Sequence, residues 1–232
     1  MNFVTVLPDI PRWVEARGML LSGRGHVLGT ETGSAPTGVL VQPDTRLAVV
    51  IGQPGEGLIR QAADIAAEIL AVPEDAYWVA AALSDWAAEY ATLHVLPDLR
   101  GMPDLSNDSV RLLEPREVSA IPELPEPLRA ELDIEAHASS PIAAAIVEDH
   151  AVAFCYAGAI TEALWDVSIE TLEPYHRRGF AAQCASYLIR RLARVGKRPV
   201  WGAAASNVPS ARLATKLGFT PVDSLMVFTR PS

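Results

Sequence analysis

Residues 171–182, TLEPYHRRGFAA, have the composition of an anion-binding turn between a strand and a helix. The first N–H groups of a helix lack partners within the helix, and the helix dipole adds partial positive charge at that end. Gly179 leaves the backbone accessible, Ala181 is also small, and Arg177 and Arg178 add positive charge. This combination predicts a site suited to a pyrophosphate.

The charge along the chain agrees with an anionic ligand at this end. Residues 171–232 carry ten basic and two acidic residues, a net charge of +8, whereas the whole chain carries −9. Residues 1–109 carry −8 and residues 110–170 carry −9. A basic surface for nucleic acid is therefore not indicated. The acidic remainder is compatible with a cationic acceptor, although ordinary solvated charge explains it equally well.

The bulk properties are those of a folded protein. Its 232 residues, half of them hydrophobic, suffice for one large domain or two modest ones. We find neither a signal-peptide pattern nor an apolar run of the ~20 residues needed to span a bilayer, so we expect a cytoplasmic protein without a membrane partner. Two cysteines and five scattered histidines indicate neither a disulfide framework nor a metal site.

The N-terminal half predicts a small α/β unit. The first 45 residues, including the glycine-rich residues 23–29, show weak periodicity and are interpreted as turns and loop. Residues 46–52 predict a strand, and residues 56–71 a helix. Two further strands are predicted at residues 77–83 and 89–96, followed by a linker at 97–107.

The C-terminal half has a clearer order of elements. The predicted strands are 110–113, 142–147, 151–157, 164–171, 198–203 and 225–229. The predicted helices are 127–137, 180–195 and 209–217, of which the last two end at Gly196 and Gly218.

Two of these segments resemble motifs of the GNAT superfamily of N-acetyltransferases. The first is similar to its acetyl-CoA signature, Q/R-x-x-G-x-G/A, with His176, Gly179 and Ala181 at the three specified positions. Histidine departs from the usual Gln or Arg. The second, residues 207–219 (NVPSARLATKLGF), resembles the N-x-x-S/A motif that precedes a helix ending in K-L-G-F. With the hairpin before them, the motifs cover residues 110–232, and residues 165–219 are similar to a bacterial subgroup.

The resemblance implies a fold and a cofactor. The expected α/β (α+β) GNAT fold has a mixed, mostly antiparallel central sheet flanked by helices, with residues 110–232 as the acetyltransferase domain. Residues 1–109 would be a smaller α/β unit, either covering the acceptor side or a degenerate GNAT-like repeat. Acetyl-CoA would be the acyl donor. Its contacts would come from Thr171 through the backbone, from His176, Arg177, Arg178, Gly179, Phe180 and Ala181 around the pyrophosphate, and from Asn207 and Ser210 along the arm.

The resemblance also implies where the chemistry takes place. Family members often place a glutamate base on the fourth strand, and the nearest carboxylates here are Asp166 and Glu170, which share one face by two-residue periodicity. The tyrosine that often protonates the leaving thiolate is replaced by Ala214. A CoA thiolate can leave unaided, since a free thiol has a pKa of about 8.5.

The expected function is acetyl transfer to a primary amine of a small molecule by direct attack. The alternatives are a non-catalytic acyl-CoA sensor or scaffold, and an acetyltransferase of protein lysines or N-termini. A homodimer is compatible with the sequence.

Overall fold

Runs rich in valine, isoleucine, leucine and alanine form the strands, because such side chains pack well on a pleated surface. The computed structural model describes residues 3–31, 36–105, 108–122 and 124–231. Within these residues the strands are β1 His26–Glu31, β2 Thr37–Gln42, β3 Leu47–Ile51, β4 Glu68–Ala71, β5 Ala87–Val95, β6 Val110–Leu112, β7 Ile142–Val147, β8 His150–Ile160, β9 Leu164–Thr171, β10 Arg198–Ala204 and β11 Thr220–Thr229.

Helices lie in about half of the connections between successive strands. Across the same residues they are α1 Phe3–Val6, α2 Val14–Ser22, α3 Glu56–Ile65, α4 Ala76–Ala82, α5 Pro115–Ser119, α6 Glu126–His137, α7 Phe180–Ala193 and α8 Val208–Lys216. Short 3₁₀ turns lie at Pro11–Trp13, Pro73–Asp75, Leu99–Gly101 and Glu173–Tyr175. None of the described helices is long and apolar enough to cross a membrane.

The strands form one sheet in the order β1-β2-β3-β4-β11-β5-β10-β9-β8-β7-β6. Neighbouring strands are parallel where β3 meets β4 and where β9 meets β10. The other described pairs are antiparallel. This arrangement confirms the predicted mixed, mostly antiparallel sheet flanked by helices.

The two halves of the chain repeat one order of elements. In the N-terminal half, β1, β2 and β3 form an antiparallel meander, α3 leads to β4 parallel to β3, and α4 leads to β5. In the C-terminal half, β7, β8 and β9 form the meander, α7 leads to β10 parallel to β9, and α8 leads to β11.

The last strand of each half crosses to the other half. β5 pairs with β10, β11 pairs with β4, and β5 and β11 also pair with each other. One continuous sheet therefore runs across the predicted boundary between residues 109 and 110, and neither half holds all of its own strands together.

The helices divide between the two faces of the sheet. α1 and α2 cover a core that contains Leu40, Leu70 and Leu164, and α5 and α6 cover the same face further along. α3 and α4 cover the opposite face around Val50 and Ile69, and α7 and α8 continue that layer. A ligand bound at the start of α7 and one bound beneath α2 therefore lie on opposite faces.

Three N-terminal predictions are wrong. Residues 1–45 are not all loop: α2, β1 and β2 lie there, and glycine-rich residues 23–29 end α2 and begin β1. The predicted helix 56–71 ends at Ile65, and residues 68–71 form β4 between β3 and β11. Residues 77–83 form most of α4 and are not a strand, because a short apolar run fits a buried helix as well as a strand.

Candidate active site

β9 and β10 separate within the sheet. Their described parallel pairing ends at Asp166 and Val200. Beyond these residues, β9 continues to Thr171 in contact with β8, and β10 continues to Ala204 in contact with β5. The facing edge of residues 167–171 has no strand partner in the described part of the chain, so the two strands enclose an opening.

The loop after β9 has a backbone suited to an anion. Arg177 (φ 59°) and Gly179 (φ 89°) adopt left-handed conformations, and α7 begins after Gly179 without a side-chain cap. The N–H groups of Phe180, Ala181 and Ala182 have no acceptor among the described residues. A Cβ atom on Gly179 would meet nothing within 4 Å, so the space above these amides is open.

Side chains of the loop hold its shape. His176 Nε2 lies 2.7 Å from the carbonyl oxygen of Thr171, which ties the loop to the end of β9. The guanidinium of Arg178 lies 5.3 Å from the ring centroids of both Tyr175 and Phe180, within cation–π range. Arg177 is exposed beside them. The structure thus brings the predicted loop residues to one turn.

Asn207 and Ser210 already have partners within the protein. Asn207 Oδ1 accepts a hydrogen bond from the Ser210 N–H at 3.2 Å, which caps α8. Ser210 Oγ accepts a hydrogen bond from Trp201 Nε1 at 2.9 Å. Trp201 is buried against Phe219, so it serves packing.

A cavity of about 210 Å³ lies beneath α2, on the face opposite α7. Its apolar lining comes from strands of both halves: Leu70, Ala91, Leu93, Gly202, Ala204, Leu225 and Val227. Val14 of α2, three carboxylates, Glu15, Glu68 and Asp166, and the guanidinium of Arg12 complete the lining. Because Asp166 is the last paired residue before the strands separate, the cavity adjoins the opening between β9 and β10.

The cavity is electrostatically unusual. Arg12 Nε and Nη2 each donate to Asp223 at 2.8 Å, and Nη1 donates to Glu74 at 3.3 Å, so its charge is already paired. Burial raises the pKa of Asp166 to about 7, against the lowering effect of a hydrogen bond with Glu15. Burial and the Asp166 charge raise the pKa of Glu15 well above its ordinary value. Two carboxyl groups joined by a hydrogen bond must share at least one proton.

The two predicted base candidates differ in their surroundings. Glu170 lies near the exposed end of β9, outside the cavity. Partial burial and the nearby Glu131 raise its pKa, and His176 opposes them. Asp166, by contrast, lines the cavity.

No tyrosine takes the position of a general acid in the described cavity lining. Ala214 is fully buried in the core beneath α7 and α8. Tyr175 and Tyr187 pack partly buried against that same core.

In the described N-terminal half, no loop is equivalent to the β9–α7 loop, residues 172–179, which we call the anion loop. Its β3–α3 connection, residues 52–55 (GQPG), is shorter, contains no basic residue and leads into Glu56. The parallel pairing of β3 and β4 ends at Val49 and Leu70, so a valine stands where the C-terminal half has Asp166.

Sequence reasoning missed Glu15, Glu68 and Arg12, which the N-terminal half contributes to the cavity. One signal was present for Glu15. It lies between Val14 and Ala16, which are buried, in a helix that contains few polar residues. An acidic residue in such a helix is a candidate for a buried, partnered carboxyl group.

Comparisons with known proteins agree with this geometry. A family model described as GNAT acetyltransferase matches residues 141–228. A GCN5-related N-acetyltransferase-like protein from Streptococcus suis has a similar structure, with a TM-score of 0.70, 20% identity, and coverage of 98% of this chain and 96% of that chain. A putative GNAT-family acetyltransferase from Novosphingobium aromaticivorans gives a TM-score of 0.61 at 16% identity, covering 97% and 98%.

A tandem GNAT protein from the clavulanic acid biosynthesis pathway is also similar, with a TM-score of 0.54 and 13% identity over 87% of this chain and 82% of that chain. No curated protein sequence matches the chain significantly. The matched segment contains the split strands, the anion loop and the capped helix α8. Residues 141–228 thus match the GNAT acetyltransferase family, and nearly the whole chain shares the fold of the similar GNAT-type structures.

Proposed function

We propose that this protein transfers the acetyl group of acetyl-CoA to a primary amine of a small molecule. The observation that carries the proposal is the opening between β9 and β10. It adjoins a carboxylate-lined cavity on one face of the sheet, and the loop after β9 leads to the uncapped start of α7 on the other face. The acyl donor and the acceptor can therefore meet from opposite faces.

The donor side follows from unpaired backbone groups. The amides at the start of α7, with Arg177 and Arg178, suit the CoA pyrophosphate. The unpaired edge of residues 167–171 suits the amides of the pantetheine arm, which would add to the sheet as an extra strand does. The positions of Thr171, His176 and Gly179 at and after the end of β9, and of Asn207 and Ser210 at the start of α8, support this proposed path.

The acceptor side follows from charge and size. A cationic amine is attracted to the carboxylates, and it must lose a proton before it can attack the thioester carbonyl. Asp166 is the proposed base, because a base is most effective when its pKa is near the working pH. The new N–C bond forms as the C–S bond breaks, and the CoA sulfur leaves as a thiolate without a tyrosine.

The cavity favours a small acceptor over a protein segment. Helix α2 and the turn before it cover the cavity, whose volume is about 210 Å³. The repeated order of elements, the short loop at residues 52–55 and Val49 support a second inference. Residues 1–109 are a degenerate GNAT-like unit that retains structure and lends residues to the acceptor side.

The experiment measures donor binding and turnover separately. Acetyl-CoA is titrated by calorimetry into the wild type, Gly179→Glu and the control Gly196→Glu. Both glycines have positive φ angles and open space around them, but Gly196 follows the other end of α7. We expect binding to the wild type and the control and none to Gly179→Glu, because the carboxylate would occupy the pyrophosphate position.

Release of free CoA thiol is then followed with a panel of primary amines. Amine-dependent release by the wild type, abolished in Asp166→Asn, supports the proposal. Acetyl-CoA binding without release for any amine would favour an acyl-CoA sensor instead. Equal binding by Gly179→Glu and wild type would contradict the donor site.

A further inference from the structure

We propose that Glu15 of α2 is a positioning residue for Asp166, so that the N-terminal half supplies a working part of the catalytic site. This inference rests on the proposed function, since it assigns a role beside the proposed base. The two side chains line the same cavity, although they come from different halves of the chain. Each carboxyl group is close enough to the other to shift its pKa through charge or hydrogen bonding.

Close packing places α2 directly on the sheet. A Cβ atom on Gly18, one helical turn after Glu15, would lie 2.6 Å from Ala159 Cβ and 3.2 Å from the backbone nitrogen of Ile160. A larger residue would therefore hold α2 away from β8. Glu15 shares the helix face of Gly18, because residues three apart lie on one side of a helix.

Strand β8, beneath α2, leaves room for the carboxylate of Asp166. A Cβ atom on Gly158 would lie 3.5 Å from Asp166 Oδ2 and 3.0 Å from Ser168 Oγ. The β8–β9 pairing is irregular at this point, where the register shifts between Ala157 and Ile160. This bulge and the bare glycine give Asp166 space to face α2.

Polar contacts fix α2 to the turn between β8 and β9. Arg17 forms an ion pair with Glu162 and also donates to the carbonyl oxygens of Val4 and Leu7. Asp9 accepts hydrogen bonds from Thr161 Oγ1 at 2.7 Å and from the Ala163 N–H at 2.8 Å. These contacts therefore hold α2, which carries Glu15, against the turn that leads into β9, which carries Asp166.

The other charged groups described near Glu15 and Asp166 do not neutralise the two carboxyl groups in place of the shared proton. Glu68 of β4 and Glu135 of α6 are acidic neighbours, and Arg24 pairs with Glu135. Arg12 is engaged by Asp223 and Glu74, and the buried Cys155 thiol of β8 has a raised pKa. The described surroundings thus favour a protonated Glu15 that donates to an ionised Asp166.

This arrangement assigns each group a part in the proton transfer. The acceptor ammonium gives its proton to Asp166, and the resulting neutral amine attacks the thioester carbonyl. Glu15 keeps its own proton throughout and holds the orientation of the Asp166 carboxylate by donating to it. As the C–S bond breaks, the attacking nitrogen loses its second proton to water or to the leaving thiolate. Asp166 then releases the first proton to water, which restores the starting pair.

The test is the pH dependence of kcat/KM for the best amine in Glu15→Gln and Glu15→Leu. Gln keeps an N–H donor, so the pKa at which kcat/KM falls on the acid side of the profile (the acid limb) should stay within about 0.5 pH unit of the wild-type value. Leu removes the donor and leaves Asp166 in a drier site, so its pKa rises and the acid limb moves up by about one unit or more. At pH values below the acid limb, kcat/KM of Glu15→Leu should be about tenfold or more lower than that of the wild type. Its acetyl-CoA dissociation constant should be unchanged.

The matched control is Glu56→Leu, an exposed glutamate in the first turn of α3. It should leave the pH profile unchanged. If Glu15→Leu, folded and binding acetyl-CoA, has the wild-type profile, the role of Glu15 is wrong while the transferase proposal stands. A wild type that binds acetyl-CoA but acetylates no amine would instead overturn the transferase proposal itself.

Discussion

Gly18 of α2 lies against Ala159 of β8 so closely that a Cβ atom on Gly18 would be 2.6 Å from the Ala159 Cβ. Helix α2 belongs to the N-terminal half, and β8 belongs to the C-terminal half. Backbone atoms of Ala159 and Ile160 lie nearly as close, at 3.1 and 3.2 Å, so a rotamer change cannot relieve the contact. A single missing side chain therefore sets how deeply α2 sits over Asp166.

Replacement of Gly18 by alanine should destabilise the protein by about 1–3 kcal/mol, because the added methyl forces the packed backbones apart. The free energy of unfolding in urea measures this change. Gly57→Ala is the control: it lies in α3, is exposed and has nothing within 4 Å of its added Cβ. That control should gain up to about 1 kcal/mol from better helix propensity. Equal effects of the two substitutions would show that the contact with β8 is not tight.

The sequence predicted the C-terminal half far better than the N-terminal half, for physical reasons. The predicted ends of β9, Leu164 and Thr171, are the observed ones, because a strong strand pattern leads directly into a glycine-marked turn. In the N-terminal half, short runs such as Glu68–Ala71 are strands through tertiary pairing with β3 and β11, which local pattern does not encode.

The cavity also depends on tertiary contacts that local sequence pattern does not encode. Asp166 could be proposed from its strand and family motif, whereas its contact with Glu15 depends on how α2 packs across the two halves. Such long-range contacts leave no periodic signal in one sequence. The exchange of β5 and β11 between the halves is hidden for the same reason.

The exchanged strands predict that the protein unfolds in one cooperative transition. β5 pairs with β10, and β11 pairs with β4, so neither half can lose its sheet without unpairing the other. Differential scanning calorimetry should give a single peak whose calorimetric and van't Hoff enthalpies agree. Two separated peaks, one of which is shifted by acetyl-CoA, would contradict this coupling.

Gly202 should control acceptor size. It lies in the cavity wall on β10, and a Cβ atom there would meet Leu93 at an ordinary 3.7 Å, so substitution is tolerated by the fold. Gly202→Val should lower kcat/KM for the amine about tenfold or more by filling the cavity, and Gly202→Ala should have a smaller effect. Calorimetry should show unchanged acetyl-CoA affinity for both. A loss of acetyl-CoA binding that matches the loss of activity would place Gly202 on the donor path instead.

Asp166→Asn should abolish acetylation and yet stabilise the protein above neutral pH. The pKa of Asp166 is raised from 3.8 to about 7 in the folded protein, so the native state holds a proton that the unfolded chain releases. The contribution of Asp166 to wild-type stability therefore falls as the pH rises from about 4 to about 7 and then levels off, since at this group the unfolded state binds fewer protons in this range.

Asparagine carries no such charge and can accept the hydrogen bond of Glu15. The variant should be more stable than the wild type by about 1–3 kcal/mol at pH 8, and the difference should shrink towards pH 4. Urea unfolding at a series of pH values measures this difference. Asp223→Asn is the matched control with the opposite sign, because the Arg12 guanidinium lowers the pKa of Asp223 and its ionised form stabilises the fold. A pH-independent difference for Asp166→Asn would mean that Asp166 is fully hydrated, and its assignment as a partly buried base would then fail.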